Sequence, residues 1–509
     1  MIMSARGINT SVSENRKKVY AEVARLAYNY EDGDLKKLDM IPFRIVPGEV
    51  SSDRESVFLE RAIVGEQVRL ALGLNLRPVT EPMPVSFGAE ECLDPEKYYD
   101  LPLINVISFA CHGCPDDQVR VSDQCQGCLA HPCTEVCPKG AIKRENGRSV
   151  IDQSLCVKCG RCVSTCPYGA IIHLKRPCAA ACGVNAIGSD EYGRAKIDQD
   201  KCVKCGQCFA NCPFGAIADK SQIFQTIQAI RSDVPVYAAI APAFVGQFGP
   251  DMTMKGIRAS MKALGFKDAI EVAIGADLCT IQEAEAFVKE VPSKLPFMGT
   301  SCCPAWSSMA KGLLPGQEDC ISMALTPMVL TARLIKEQHP GCKVAFIGPC
   351  SAKKREARRK YVRSEVDFVL TFEEVRGMFE AKEIDFTKLE LDKAMHGASG
   401  DGRGFAISGG VSDAVANIIR ERHPEREVKI ERAEGLEACK KMLLLAKAGE
   451  FDGYLLEGMA CPHGCVGGAG TVQPIEASKK KVEKNKAGST HAHASESSYQ
   501  NLLAILEKD

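Results

Sequence analysis

The chain has 509 residues, 64 Lys+Arg against 65 Asp+Glu for a net charge of −1, and 45% hydrophobic residues. That length allows about two to four domains, scattered basic residues exclude a nucleic-acid footprint, and no apolar run reaches the ~18 residues of a membrane span or forms a signal-like core in residues 1–30. Its 26 cysteines, many at C-x-x-C spacing, argue for metal rather than disulfides and for a reducing, anaerobic cytoplasm. Taken in order, residues 1–104 read as a helical or docking segment. Ser11 or Ser13 can cap a helix over Arg16–Tyr28, and Val57–Leu74 has helical apolar spacing. The only cysteine there is Cys92, so a four-cysteine cluster has no ligands in this segment.

Residues 105–172 and 173–222 read as two ferredoxin-like modules. Cys156-x-x-Cys159-x-x-Cys162-x-x-x-Cys166-Pro167 and Cys202-x-x-Cys205-x-x-Cys208-x-x-x-Cys212-Pro213 are bacterial-ferredoxin runs, in which the fourth cysteine ligates the other cluster of a pair. A stretched run, Cys125, Cys128, Cys133 and Cys137, pairs with the first. One 4Fe–4S cluster is then expected on Cys125, Cys128, Cys133 and Cys166, another on Cys156, Cys159, Cys162 and Cys137. A zinc ribbon does not use this interleaving with trailing prolines. The next repeat lacks its leading C-x-x-C, but Cys182 completes a cluster on Cys202, Cys205 and Cys208. Cys178 and Cys212, joined by Cys111 and Cys114, make a fourth cluster; the alternative is three clusters with these outer cysteines free or binding something else.

From residue 236 the pattern is α/β. Val236–Ala241, Val344–Ile347, Asp367–Thr371 and Tyr454–Leu456 read as strands, with helices such as Ser260–Leu264, Glu373–Ala381 and Glu434–Ala448 between them. Thr326 reads as an N-cap before Pro327, opening a helix to Lys336. The domain is expected over 223–475, and residues 476–509 as a polar, solvated tail closing on a short helix, Tyr499–Glu507. Three cysteine-bearing stretches lie after strand ends or in loops, where open α/β sheets place ligands. They are Thr300-Ser301-Cys302-Cys303-Pro304-Ala305-Trp306, Gly348-Pro349-Cys350-Ser351-Ala352-Lys353-Lys354-Arg355-Glu356, and Met459-Ala460-Cys461-Pro462-His463-Gly464-Cys465-Val466-Gly467-Gly468. A buried cysteine pair can be plain filler, but adjacent side chains diverge, and a split duty is the sharper reading: one thiolate on a metal, its neighbour left for protons or a ligand. Cys303, Cys350, Cys461 and Cys465 supply the four soft thiolates that an iron–sulfur cubane needs, leaving Cys302 unassigned.

In this order the three stretches resemble the signature loops of FeFe-hydrogenases, over roughly residues 236–475, and the resemblance extends into the ferredoxin-like region before them. It implies an α/β catalytic domain preceded by α+β bacterial-ferredoxin-like repeats and a mostly helical N-terminal segment. It implies an H-cluster, a 4Fe–4S cubane joined through one cysteine sulfur to a di-iron unit carrying CO, cyanide and azadithiolate, and the reversible reduction of protons to dihydrogen. Carried over by motif, Cys303, Cys350, Cys461 and Cys465 hold the cubane, with Cys465 bridging, and Cys302 exchanges protons with the azadithiolate amine. Lys353 donates to an iron cyanide, Met459 packs on the cluster, Ala241, Pro242, Ser408 and Gly409 line the pocket, and Glu356 is a structural carboxylate beside the lysine. Three or four further 4Fe–4S clusters would pass electrons to a ferredoxin or similar soluble carrier, and maturation proteins would insert the di-iron unit. No nucleic acid or membrane partner is expected.

Proton delivery departs from the family pattern. Glu283 and Ser322 match the first glutamate and the serine of the usual route, but Ala286 takes the second glutamate's place and Glu290 that of the following arginine. Glu285 or Glu290 could substitute, or protons could leave by another path. Gly348 replaces a methionine and removes cover near the di-iron unit, and His463 replaces a glycine, either tuning the cluster by hydrogen bonding or filling space. These departures resemble the group B branch. A hydrogen sensor with the same site, and a Nar-like iron–sulfur assembly protein lacking the di-iron unit, are the rival expectations.

Overall fold

The computed structural model describes residues 7–94, 100–249, 252–360, 362–391, 393–395 and 397–506. In its C-terminal half four parallel strands lie in the order Asp268–Glu271, Val236–Ile240, Lys343–Gly348, Phe368–Thr371, with Tyr237 opposite both Asp268 and Val344. A second parallel sheet runs Met298–Gly299, Tyr454–Met459, Lys429–Glu434. Val236–Ile240 and Lys343–Gly348 are nearly continuous apolar runs, as strands covered by helices on both faces require. Asp268–Glu271 and Lys429–Glu434 escaped the sequence reading because their charges hide the apolar pattern. Asp268 and Glu271 are neutralised in place, by Arg258 at 2.6 Å and by Arg403 at 2.8 and 3.0 Å.

The N-terminal segment is helical and shares the core of the α/β unit. Val19 and Val23 of the helix Ser11–Tyr28 belong to the same buried cluster as Phe224, Ala239, Phe346 and Phe372. The helix starts earlier than expected, and its cap is Thr10, whose hydroxyl accepts from the Ser13 amide while Ser13 returns the favour to Thr10. Ser56 caps the second helix, Val57–Ala71.

The two ferredoxin-like modules are nested rather than consecutive, which corrects the 105–172 and 173–222 division. Ile104–Val106 pairs antiparallel with Ile217–Asp219, and Gln118–Val121 pairs with Ile171–Leu174 inside that embrace. The second module is therefore built from residues 104–114 and 176–219. Arg176 is its clamp: the buried guanidinium donates to the carbonyls of Cys114, Gly188 and Gly193 and to Ser189 Oγ, at 2.9–3.3 Å.

Residues 476–506 are not the solvated tail expected. The helix Ile475–Ala487 buries Ser478 and Val482, Ser478 Oγ accepting from Gln247 at 2.9 Å. Further on, Leu503 and Leu506 sit in the core with Leu278 and Ile418. Sparse apolar positions on a lysine-rich helix were enough to anchor it. Residue 507, the end of the expected last helix, lies outside the described residues. Among the described residues no helix is long and apolar enough to cross a membrane.

Candidate functional site

The outer module forms two cavities. One is lined by Cys125, Cys128, Cys133 and Cys166, the other by Cys137, Cys156, Cys159 and Cys162. Each combines three cysteines of one run with the fourth of the other. Cys159 is exposed and Cys133 and Cys162 are buried. Four thiols lining one cavity suit a polynuclear iron–sulfur cluster.

In the inner module Cys182, Cys202 and Cys205 surround Cys208, whose thiol burial and these neighbours hold far above its ordinary pKa. Nesting brings the N-terminal Cys111 and Cys114 to the other end. Burial, then Cys212, pushes Cys178 up to about 12, with Cys111 adding to it, and Cys114 is raised by burial and by Cys111 and Cys212.

The third thiol set is assembled from distant loops. Cys303 and Cys350 are the residues that precede the helices Pro304–Leu313 and Ser351–Glu356, each at the mouth of a sheet. Cys461 and Cys465 follow the strand Tyr454–Met459. Trp306, fully buried, fixes the first loop: its ring lies where a Cβ on Gly458 would come within 2.2 Å, and Nε1 donates to the Thr300 carbonyl at 3.1 Å. Burial raises Cys465, and Cys350 and Cys303 raise it further while Lys353 opposes them. Cys350 is pushed up to about 11 by burial and by Cys303.

Cys302 packs beside Cys303. Its thiol is raised by burial, then by Glu283 and Cys279, with Cys303 and Cys465 also within electrostatic reach. It borders a small apolar cluster of Ala276, Phe405, Val411, Ala414 and Met459. Glu283, on the helix Ala273–Glu290, is fully buried and raised to about 7 by desolvation, against the Ser301 amide at 2.7 Å and Ser301 Oγ at 2.9 Å on its Oε1. Ser322 stands close enough to oppose that rise, yet Oε2 makes no well-formed hydrogen bond among the described residues. Ala286 is one turn on and Glu290 two, roughly 10 Å along the axis from Glu283, while Glu285 points to the surface and pairs with Arg422 at 3.0 Å.

Lys353 Nζ donates to Glu356 Oε2 at 2.7 Å, and Glu356 Oε1 accepts from Thr326 Oγ1 at 2.7 Å. Thr326 therefore caps nothing with its side chain; it orients the carboxylate that orients the lysine. Ala241 closes over the same loop. A Cβ on Gly348 would meet the Phe346 ring at 2.6 Å and the Ala241 methyl at 3.0 Å, so Gly348 does not open the pocket as expected: neighbouring side chains already occupy the space a longer residue would need. Pro242 starts the turn after Ala241. Ser408 N donates to the His463 carbonyl at 3.1 Å, and Gly409 N to the buried Glu457 at 2.7 Å, which holds this loop against Cys461–Cys465. The His463 ring is half-exposed towards Glu434 and Glu476.

Sequence reasoning missed Cys279, Ser301, Thr326 and Glu457. Cys279 lies one turn before Glu283, fully buried, and its i,i+4 spacing was the available signal.

Residues 234–469 match the family described as iron only hydrogenase large subunit, C-terminal domain, and residues 149–172 and 194–217 each match a 4Fe-4S binding domain. Iron hydrogenase 1 of Clostridium pasteurianum is 29% identical over 406 residues, 69% of this chain and 70% of that protein. The periplasmic Fe hydrogenase large subunit of Nitratidesulfovibrio vulgaris is 30% identical over 372 residues, 64% of this chain and 86% of that protein. Nuclear prelamin A recognition factor of Rattus norvegicus is 24% identical over 285 residues, 46% of this chain and 62% of that protein.

Proposed function

Because the chain belongs to the iron-only hydrogenase large-subunit family, with 4Fe–4S domains ahead of its α/β domain, we propose that it interconverts dihydrogen with two protons and two electrons. The observation that carries this reading is the place of Cys302: it packs with Cys303 against the apolar cluster that holds Met459, with the buried carboxyl of Glu283 and the Cys465 thiol within electrostatic reach. The residues fit an H-cluster: of the four soft thiols from three loops, Cys465 and Cys350 are raised by burial and by neighbouring thiols, a repulsion that a positive iron–sulfur core would relieve. When bound, that group supplies the metal centre at which dihydrogen is split or formed.

The chain's own residues would do the rest. Cys303, Cys350 and Cys461 would hold the cubane and Cys465 bridge to the di-iron unit. Lys353, aimed by Glu356 and Thr326, would donate to a cyanide. Cys302, kept protonated by burial, would hand protons to Glu283 Oε2 and on towards Ser322, while Met459, Phe405 and Val411 keep water out. The ferredoxin-type clusters, four by the grouping above, would relay electrons to a soluble carrier, most simply ferredoxin, in a reducing cytoplasm. Ala286, Gly348 and His463 support a group B-like branch, and insertion of the di-iron unit would need maturation proteins.

Infrared spectroscopy on anaerobically matured protein tests this. Bands of metal-bound CO and cyanide, followed by dihydrogen evolution with a reduced carrier, are the expected result. Their absence with full cubane iron would sink the hydrogenase reading and favour an assembly protein. One observation keeps a sensor as second reading: Ala286 interrupts the acidic face beyond Glu283, and a sensor needs no rapid proton exit. Bands without turnover would select it.

A further inference from the structure

Gln207 stands where two cluster-binding loops meet. It lies between Cys205 and Cys208, is 7% exposed, and begins the short helix Gln207–Ala210 after Gly206, whose φ is +81°. Two of its donors serve two different thiol sets. The backbone N–H is aimed at the Cys205 sulfur, opposing the burial that pushes this thiol up to about 12. The side-chain amide crosses to the α/β domain, Nε2 lying 3.3 Å from Cys461 Sγ and 3.3 Å from the Gly467 carbonyl oxygen. Both of those atoms are acceptors, so the amide must present its NH2; turned over, its oxygen would face a carbonyl and a sulfur. The Gln207 carbonyl is itself held by Asn211 Nδ2 at 2.8 Å. Cys350 also lies within electrostatic reach of Cys205, so this contact lies where the two thiol sets adjoin.

A glutamine that merely filled this interface would not need its donors on two sulfurs of two different sets. We infer that Gln207 couples the ferredoxin-type cluster of Cys182, Cys202, Cys205 and Cys208 to the cubane of Cys303, Cys350, Cys461 and Cys465, and sets the reduction potential of the cubane through its bond to Cys461. This rests on the proposed reading of both thiol sets. A neutral N–H on a ligating sulfur stabilises the more negative, reduced cluster more than the oxidised one, and so raises its potential. With both clusters bound, a one-electron exchange between them would leave Gln207 with all its protons. It is a positioning residue, and the side chain acts on one cluster while the backbone acts on the other.

The test is a potentiometric titration followed by EPR on the full-length, cluster-loaded protein, comparing wild type with Gln207→Leu and Gln207→Asn. The cubane signal is identified as the one lost in Cys350→Ala. In both variants its midpoint should fall, the reduced-to-oxidised ratio at a fixed potential dropping on the order of tenfold, ~59 mV for one electron. Asparagine keeps the amide but is one methylene too short to reach Cys461. The cluster on Cys205 keeps its backbone donor and its midpoint should stay. Unchanged midpoints in both variants, or equal movement of every cluster, overturn the inference. EPR reads the cubane with or without the di-iron unit, so absent CO and cyanide bands would count against the hydrogenase reading and leave this test intact.

Discussion

The ferredoxin-type region and the α/β site gather cysteine side chains in opposite ways. In the outer module each set of four comes from two short runs around a small cavity, and one of the eight cysteines, Cys159, is exposed at the surface. In the α/β domain four thiols arrive from residues 303, 350, 461 and 465 on loops that only the sheets bring together, and burial raises the thiols of Cys350 and Cys465. The first arrangement is made by spacing and the second by topology. The difference suits their proposed tasks: a relay must be near the surface to meet a carrier, whereas a proton-handling centre must exclude water so that protons move only where a side chain offers them.

The sharpest way to break that comparison is at Cys302, which touches the buried site without belonging to its ligand set. Cys302→Ala should lower dihydrogen turnover by roughly 10²–10⁴-fold, the range for losing a positioned acid–base group, while iron content and infrared bands persist. Near-normal turnover would mean that the buried site needs no thiol shuttle and differs from the relay only in depth. The next largest effect concerns the join between the two regions. Lys354 is fully buried, donating to Asp219 of the ferredoxin-type region at 2.9 Å and to Glu374 of the α/β domain at 3.0 Å. Lys354→Met strands two carboxylates in the interior, which costs about 3–5 kcal/mol. A thermal unfolding midpoint within a degree of wild type would show the regions to be held together elsewhere.

Glu283 sharpens the comparison by pH. Its folded pKa is raised from 4.5 to about 7 by burial. A raised carboxyl contributes stability that is fully present below the unfolded value and lost as pH rises through the folded one, so wild type should lose about 3 kcal/mol relative to Glu283→Gln between pH 4.5 and 7. Parallel stability–pH curves for the two proteins would place solvent at this carboxyl.

The same contrast explains what was legible. The ferredoxin cysteines group as their spacing suggests because a turn fixes neighbours a few residues apart. What spacing hid was nesting: nothing in the run of letters says that Ile104–Val106 pairs with Ile217–Asp219 and carries Cys111 to Cys178. In the α/β domain the three cysteine stretches stood out by composition, and the strands Val236–Ile240 and Lys343–Gly348 by apolar runs. The support around them did not. Thr326 has the sequence of an N-cap, yet its hydroxyl serves Glu356, a residue that comes near only in three dimensions. The charged strands Asp268–Glu271 and Lys429–Glu434, and the lysine-rich helix Ile475–Ala487, are held by partners far along the chain, so local pattern undercounts them.

The smallest predicted effect decides where protons go after Glu283. Ala286 offers no acceptor one turn on. Glu285 is 60% exposed at its side chain and bound to Arg422, facing away from Glu283 on the helix, since residues two apart do not share a face. Glu290, half-buried at the end of the same helix, lies on the Glu283 face two turns away. Glu285→Gln should therefore leave turnover within about twofold and stability within ~0.5 kcal/mol, as for an exposed ion pair, while Glu290→Gln should lower turnover more, and most at high pH where proton supply limits the rate. Equal small effects from both substitutions would remove this helix face from the route and move the exit to the Ser322 side.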